Sequence, residues 1–242
     1  MTIRLFEVGG SIRDELMGIA NPPDRDFCAV SPKGWDALLA WCHRNMSKVF
    51  LVTPEFFTVR GHMRCGGKPI DIVMCRKEQG SLDGRHPEHV EPGTLEDDLR
   101  RRDFTVNALA REVDPDTLKP IGEIIDLFGG IADIELRQLR CVGNVHDRLT
   151  EDGLRVLRAA RFAVTKSLSP DMHLLGTFSD AHWWHHARET VSEDRVRQEL
   201  HKMMVHDTAG TIRFLADICH KEAVHVLFGS NIWLKPTVEK KK

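Results

Sequence analysis

Asp24, Arg25 and Asp26 bring two carboxylates to alternate positions, and on a strand alternate residues share a face. Two such anions repel unless a cation sits between them, and hard oxygen donors of this kind suit Mg²⁺. Upstream, the apolar stretch 3–8 runs into Gly9-Gly10-Ser11, with Arg13 close behind. A strand that ends in two glycines before a helix lets the backbone approach a phosphate and aims amide N–H groups at it. Taken singly, each half also describes a solvated strand end or a helix cap. Their succession, a phosphate cradle followed by a metal pair, is what points to nucleotide chemistry. A third carboxylate, Asp71, interrupts the apolar run Ile70-Asp71-Ile72-Val73-Met74, where an unpaired charge is costly to bury. Joining Asp24 and Asp26 around metal relieves that cost; an edge strand with Asp71 facing water is the alternative.

Two further charged groups follow. Asp98-Leu99-Arg100-Arg101-Arg102-Asp103-Phe104-Thr105 leads into Asn107. On a helix, successive arginines point in different directions, so at most one or two of these face a triphosphate, while Asp103 and Asn107 can brace each other at i,i+4. Glu151-Asp152-Gly153-Leu154-Arg155 continues to Arg158 and Arg161 on what reads as one helix. Asp152 and Arg155 are i,i+3 neighbours on it, and the stripe winds until Arg161 lies nearly opposite Asp152. Both patterns also describe solvated faces and ion-pair ladders worth about 0.5 kcal/mol per pair.

The elements that must position these residues read as mixed α/β in the first half. Ser11 is placed to cap a helix that stops at Gly18. A strand covers about 25–30, and Ser31-Pro32 opens a helix carrying Trp35, Leu38, Leu39 and Cys42 at helical spacing. Residues 49–59 and 69–75 read as strands separated by the turn signal Gly66-Gly67. The stretch 79–94, with Gly80, Gly84, Pro87, Pro92 and Gly93, reads as a mobile loop. Beyond a boundary near residue 145, the stretches 147–165, 191–205 and 209–220 carry apolar residues at helical intervals.

With 242 residues, 41% hydrophobic and 29% charged, the chain can bury a core as one large domain or two small ones and is not a disordered tail. No apolar run approaches the ~18 residues of a membrane span, and the opening ten residues are too short and acidic for a secretory signal. The expectation is a cytoplasmic protein with no membrane partner. A formal net charge of -2 means that any nucleic acid is held by a local patch. The six cysteines form no CxxC pair and read as reduced thiols. His182-Trp183-Trp184-His185-His186 lacks an acidic partner at zinc-protease spacing and reads as packing, with stacking of Trp183 or Trp184 on RNA bases as the alternative. His206-Asp207 stands without the further motifs that a phosphohydrolase metal site needs.

The motifs GGSIRDELMG, DRD, DLRRRDFTVNALA, EDGLRVLRAARFA and SEDRVRQEL occur in one order between about Ile3 and Met204. In that order they resemble the class II tRNA nucleotidyltransferases, the CCA-adding enzymes, and their bacterial poly(A) polymerase relatives. The resemblance implies a polymerase-β-like α/β head, a mixed sheet flanked by helices, over residues 1–145. It further implies an all-α, nucleobase-selecting neck over 146–206 and a short helical body segment with a basic tail over 207–242. The implied activity is template-independent addition or repair of the 3′-terminal CCA of tRNA from CTP and ATP.

Carried over by position, Asp24, Asp26 and Asp71 match the catalytic, Mg²⁺-binding carboxylates. Gly9, Gly10, Ser11, Arg13, Arg102, Asp103, Asn107, Arg158 and Arg161 fall in the nucleotide-binding motifs. Glu151, Asp152 and Arg155 match the element that selects the base. An Asp carboxylate accepts from an exocyclic amine and a guanidinium donates to a ring acceptor, a pattern that cytosine and adenine meet and that uracil and guanine oppose. Each mismatched buried group costs about 1–3 kcal/mol. The implied chemistry uses two Mg²⁺ ions, one on all three aspartates beside the 3′-hydroxyl and one on Asp24 and Asp26 at the triphosphate, without a covalent intermediate. A monomer or homodimer is expected, with Arg188, Arg195, Arg197, the lysine tail or a second copy supplying grip on tRNA. The competing readings are a terminal adenylyltransferase acting on RNA 3′ ends and a catalytically degenerate RNA-binding module.

Overall fold

The computed structural model describes residues 3–19, 25–79 and 89–228. These divide into two compact units, one up to Asn144 and one from Val145.

The first unit is built on strands β1 (Arg4–Val8), β2 (Asp26–Val30), β3 (Met46–Thr53), β4 (Thr58–Met63) and β5 (Ile70–Met74), then the pair β6 (Arg76–Gln79) and β7 (His89–Pro92), then β8 (Leu109–Val113) and β9 (Pro120–Asp126). Its helices are α1 (Gly10–Leu16), α2 (Trp35–Asn45), α3 (Leu95–Arg100) and α4 (Gly130–Glu135). Seven strands form one mixed sheet in the order β3-β4-β5-β2-β1-β8-β9, with β2 and β5 parallel. Because side chains alternate along each strand, both faces carry a core. Leu5, Phe27, Ala29, Ile72 and Met74 pack with Leu38 and Cys42 of α2. Phe6, Val8, Cys28 and Ala110 pack on the opposite face with Leu99 of α3.

Local chemistry revises several expected boundaries. Helix α1 begins one residue before Ser11, with Gly9 at the cap position at φ +80° and no side-chain cap. Ser11 therefore lies buried inside the first turn and does not cap it. The helix ends at Leu16, and Gly18 follows at φ +74°. Ser31-Pro32 forms a turn, the Ser31 hydroxyl donating to the Gly34 carbonyl at 2.7 Å, and α2 starts only at Trp35. The expected strand 49–59 is two antiparallel strands joined by a 3₁₀ turn over Pro54–Phe56. Proline lacks the N–H that a continuous ladder needs. The ends of the expected loop 79–94 pair as β6 and β7, while 80–88 lie outside the described residues.

The second unit is all helical in its main elements: α5 (Val145–Glu151), α6 (Leu154–Thr165), α7 (Met172–Phe178), α8 (Ala181–Thr190), α9 (Glu193–His206), α10 (Thr208–Asp217) and α11 (Lys221–Phe228). The stretch expected as one helix from Glu151 to Arg161 breaks at Asp152-Gly153. There α8 comes so near that a Cβ on Gly153 would lie 2.3 Å from the Thr190 hydroxyl and 3.1 Å from the Ala187 Cα. Trp183 and Trp184 are buried, the Trp184 indole donating to the Phe178 carbonyl at 2.9 Å, so they belong to the core and not to an RNA-stacking surface. Asp207 caps α10 by accepting from the Gly210 amide at 2.8 Å, which accounts for the His206-Asp207 pair. The lysine tail lies outside the described residues, and no described helix is long and apolar enough to cross a membrane.

Candidate active site

Three neighbouring strands place a row of charged residues on the α3 face of the sheet. Asp26 opens β2 and is the register partner of Asp71 on parallel β5, and Asp71 is the register partner of Arg60 on antiparallel β4. Register partners lie on the same face, so the three side chains stand side by side. Strand β5 is interior to the sheet, which overturns the edge-strand alternative for Asp71, yet its side chain keeps 39% exposure and pairs with Arg60 at 3.5 Å. Asp24 lies outside the described residues. Among the described residues no group of three His, Cys, Asp or Glu able to hold a metal occurs, and Asp26 with Asp71 is the carboxylate pair that the fold assembles from the expected trio. Two hard oxygen donors side by side fit a divalent cation such as Mg²⁺.

Both aspartates line two cavities. One, of about 250 Å³, is also lined by Val8, Asp98, Arg101 and Arg102. The other, of about 580 Å³, is lined by Arg25, Arg60, Lys68 and the Gly66-Gly67 turn.

The glycine turn and the arginine run meet at Gly9. Helix α3 ends at Arg100, so the three arginines do not share a helix: Arg101 and Arg102 follow the last turn, and both fold back onto Asp98. Asp98 is fully buried; burial pushes its carboxyl up, but the Arg102 and Arg101 guanidiniums outweigh this and hold it below the usual carboxylate range. Arg102 also donates to the Asn107 carbonyl at 3.3 Å, and a Cβ on Gly9 would lie 2.7 Å from its guanidinium. Arg13 donates to the Asn107 side chain, whose amide donates in turn to Asp103 at 3.0 Å, so the expected Asp103–Asn107 brace is present. Gly10 runs against Arg13, a Cβ there lying 3.3 Å from the guanidinium. Gly9, Gly10, Arg13, Arg102, Asp103 and Asn107 thus form one cluster.

Residues outside the expected set complete the surroundings. Glu7 is buried on β1 and receives Arg25 at 2.8 and 2.9 Å and Arg111 at 3.3 Å. Burial raises its carboxyl, and these bonds, with the Ser11 hydroxyl, bring it below its ordinary value. Arg25, which gave no signal of its own in the sequence, is therefore anchored beside Asp26. Asp98 was legible as the i−3 and i−4 partner of two arginines; Arg60 and Lys68 had no local signal.

In the helical unit, Asp152 does not pair with Arg155. Its carboxylate accepts from the Leu154 amide at the start of α6 (3.0 Å) and pairs with Arg195 of α9 at 3.4 Å. Arg155 instead donates to Glu151 at 2.8 Å and to the Arg148 carbonyl at 2.9 Å. Arg161 lies over the Phe162 ring at 4.1 Å and bonds the buried Glu199, which also pairs with Lys202 at 3.2 Å. Burial raises Glu199, and Arg161, Lys202 and Arg158 overcome it, leaving its carboxyl below the usual range. The break at Gly153 thus leaves Glu151 on α5 and Arg155, Arg158 and Arg161 on α6, while α9 supplies partners to both Asp152 and Arg161.

A mixed sheet with a glycine turn and register-paired aspartates, together with an all-helical second unit, is the architecture expected of a polymerase-β-like α/β head and an all-α segment after it. Residues 5–140 match the model of the poly A polymerase head domain. A CC-adding tRNA nucleotidyltransferase of Deinococcus radiodurans is 39% identical over 175 residues, 72% of this chain and 44% of that protein. A CCA-adding enzyme of Enterococcus faecalis is 32% identical over 221 residues, 89% of this chain and 49% of that protein. Among solved structures, the Bacillus stearothermophilus CCA-adding enzyme in complex with CTP superposes with a TM-score of 0.73 at 27% identity, over 94% of this chain and 50% of that one. The Thermotoga maritima CCA-adding enzyme complexed with tRNA matches with a TM-score of 0.69 at 25% identity, over 97% and 50%. The chain belongs to the poly A polymerase head-domain family, that of the class II CCA-adding enzymes. It spans about half the length of these relatives.

Proposed function

We propose that the protein transfers nucleotides from CTP and ATP to the 3′ end of tRNA without a nucleic-acid template, building or repairing the terminal CCA and releasing pyrophosphate. The observation that carries this reading is the Asp26–Asp71 register pair, set in the wall of the cavity that also holds Arg101 and Arg102. Residues 1–145 serve as the head, 146–206 as the base-selecting neck and 207–242 as part of a helical body.

Asp26 and Asp71, joined by Asp24, would hold Mg²⁺, which when bound lowers the pKa of a hydroxyl and offsets charge on a phosphate. The chain's own residues do the rest. The Gly9-Gly10 turn admits the triphosphate close to backbone. Arg102, fixed by Asp98, and Arg13, fixed by Asn107, set cations at defined places for the charge that develops on the phosphates. Asp152 and Arg155 read the base, each held by its own partners, Arg195 and Glu151. A donor–acceptor pair of this kind accepts C and A and opposes U and G.

A second reading, addition of C alone, is favoured by the name of the D. radiodurans relative. Terminal adenylylation is the third. Incubating the protein with Mg²⁺, each labelled NTP in turn and tRNA ending before, within or after CCA separates them. Growth that halts at CCA supports the proposal, a halt at CC the second reading, and unlimited A-only addition the third. No incorporation under any of these conditions overturns all three and leaves an RNA-binding module.

A further inference from the structure

The paired aspartates stand between two cavities. The smaller carries Asp98, Arg101 and Arg102, the side assigned above to the incoming triphosphate. The larger, about 580 Å³, reaches the same carboxylates from the β4–β5 hairpin and is lined by Arg25, Arg60, Lys68 and Gly66-Gly67. In-line transfer needs two ligands at one carboxylate wall, with the attacking hydroxyl arriving opposite the leaving group and so from another side than the pyrophosphate. The larger cavity offers that second approach, and its cationic lining suits a polyanion. Arg25 is committed to Glu7 by two bonds, whereas Arg60 keeps 54% of its side chain exposed and makes a looser 3.5 Å pair with Asp71. With a net charge of -2, the chain attracts a nucleic acid only through such a local patch.

We infer that this cavity seats the 3′-terminal nucleotide of the acceptor strand, with Arg60 and Lys68 against its backbone phosphates. The inference rests on the proposed reaction and names the acceptor side of its site.

Fluorescence anisotropy of a 5′-labelled RNA hairpin ending just before CCA, titrated with the full chain over a range of KCl concentrations, tests it. For a single-stranded end the slope of log affinity against log salt falls by about 0.7 for each phosphate that the protein ceases to neutralise. Arg60→Gln with Lys68→Gln is expected to flatten the slope by roughly 1.4, and to raise KM for the hairpin while KM for CTP stays. The charge-conserving pair Arg60→Lys with Lys68→Arg is expected to keep the wild-type slope. An unchanged slope in the glutamine variant, or a loss that falls on CTP, overturns the assignment. Should the double variant fail to fold, Lys68→Gln alone, on the exposed hairpin, carries the same test at about 0.7. Wild-type chain that binds the hairpin without transferring nucleotide sinks the proposed reaction but not the phosphate contacts. Transfer with an unaltered slope sinks the acceptor cleft alone.

Discussion

Asp26 and Asp71, 45 positions apart in the chain, are direct partners across the parallel pair β2 and β5. Parallel pairing demands a crossover, here the chain through α2, β3 and β4, so their meeting depends on how that whole segment folds back. Arg60 extends the row on the next strand, giving Asp71 a cation on one side and a carboxylate on the other.

If the proposed reaction runs on this pair, replacing either carboxylate should slow it severely without unfolding the chain. Asp26→Asn and Asp71→Asn are each expected to lower Mg²⁺-dependent CMP transfer by about 10²–10³-fold, with stability changed by only ~0.5 kcal/mol since both positions are at least partly exposed. Single-turnover incorporation and a thermal melt measure the two. Near-wild-type transfer in both variants means that these aspartates are not the catalytic pair.

Gly9→Ala tests the turn. The residue sits at φ +80° with Arg102 2.7 Å from where the new methyl group would stand. At φ +80° and ψ −128° the backbone lies in a region that an alanine populates sparsely, at a cost of about 1–3 kcal/mol, and Arg102 must also shift. The expected result is a lowered melting temperature together with a raised KM for CTP and ATP. Gly18→Ala, also at positive φ but with no atom within 4 Å of the added carbon, should lose stability without the KM effect. Equal KM changes in the two would show that Arg102 is not involved.

In the proposed reaction Arg195, paired with Asp152 at 3.4 Å, is a positioning residue for that carboxylate. Arg195→Ala releases one side of that carboxylate, and the preference for CTP and ATP over UTP and GTP should fall about tenfold or more, matching one misplaced hydrogen bond at about 1–3 kcal/mol. Competition among the four labelled NTPs gives the ratio. A uniform loss of rate with the ratio intact would make Arg195 merely structural.

Acid stability follows from Asp98 and Glu199. Burial alone would raise both, but paired guanidiniums, and Lys202 at Glu199, depress them below their unfolded values. Depressed carboxyls contribute stability that is present above the unfolded pKa and is lost as pH falls through the lower folded value. Urea midpoints should hold near neutrality and drop steeply below about pH 4. Asp98→Asn should be less stable at pH 7 and show a flatter acid limb, and an unaltered acid limb would remove Asp98 from the account.

Thiol reactivity offers an independent check on the core. Cys65 is exposed, whereas Cys28, Cys42, Cys75, Cys141 and Cys219 are buried, with burial pushing Cys42 and Cys219 up to about 12. A colorimetric disulfide reagent should titrate one thiol rapidly in native protein and the remainder only on unfolding. Several fast thiols would contradict this packing.

Residue type and spacing alone determined the chemical inventory: the glycine turn after the first strand, the acidic positions, the change to helical texture near residue 145, and the Asp103–Asn107 brace. These are short-range properties, set by backbone freedom at glycine, by alternation along a strand and by helical periodicity. Only the tertiary structure decided which charges meet. It gave Asp152 to Arg195 instead of Arg155, put Arg60 beside Asp71, and broke the expected helix at Gly153 where α8 passes too close for a side chain. The reason is physical. A buried or half-buried charge takes whatever partner the packing of distant strands and helices delivers, and no local pattern encodes that distance.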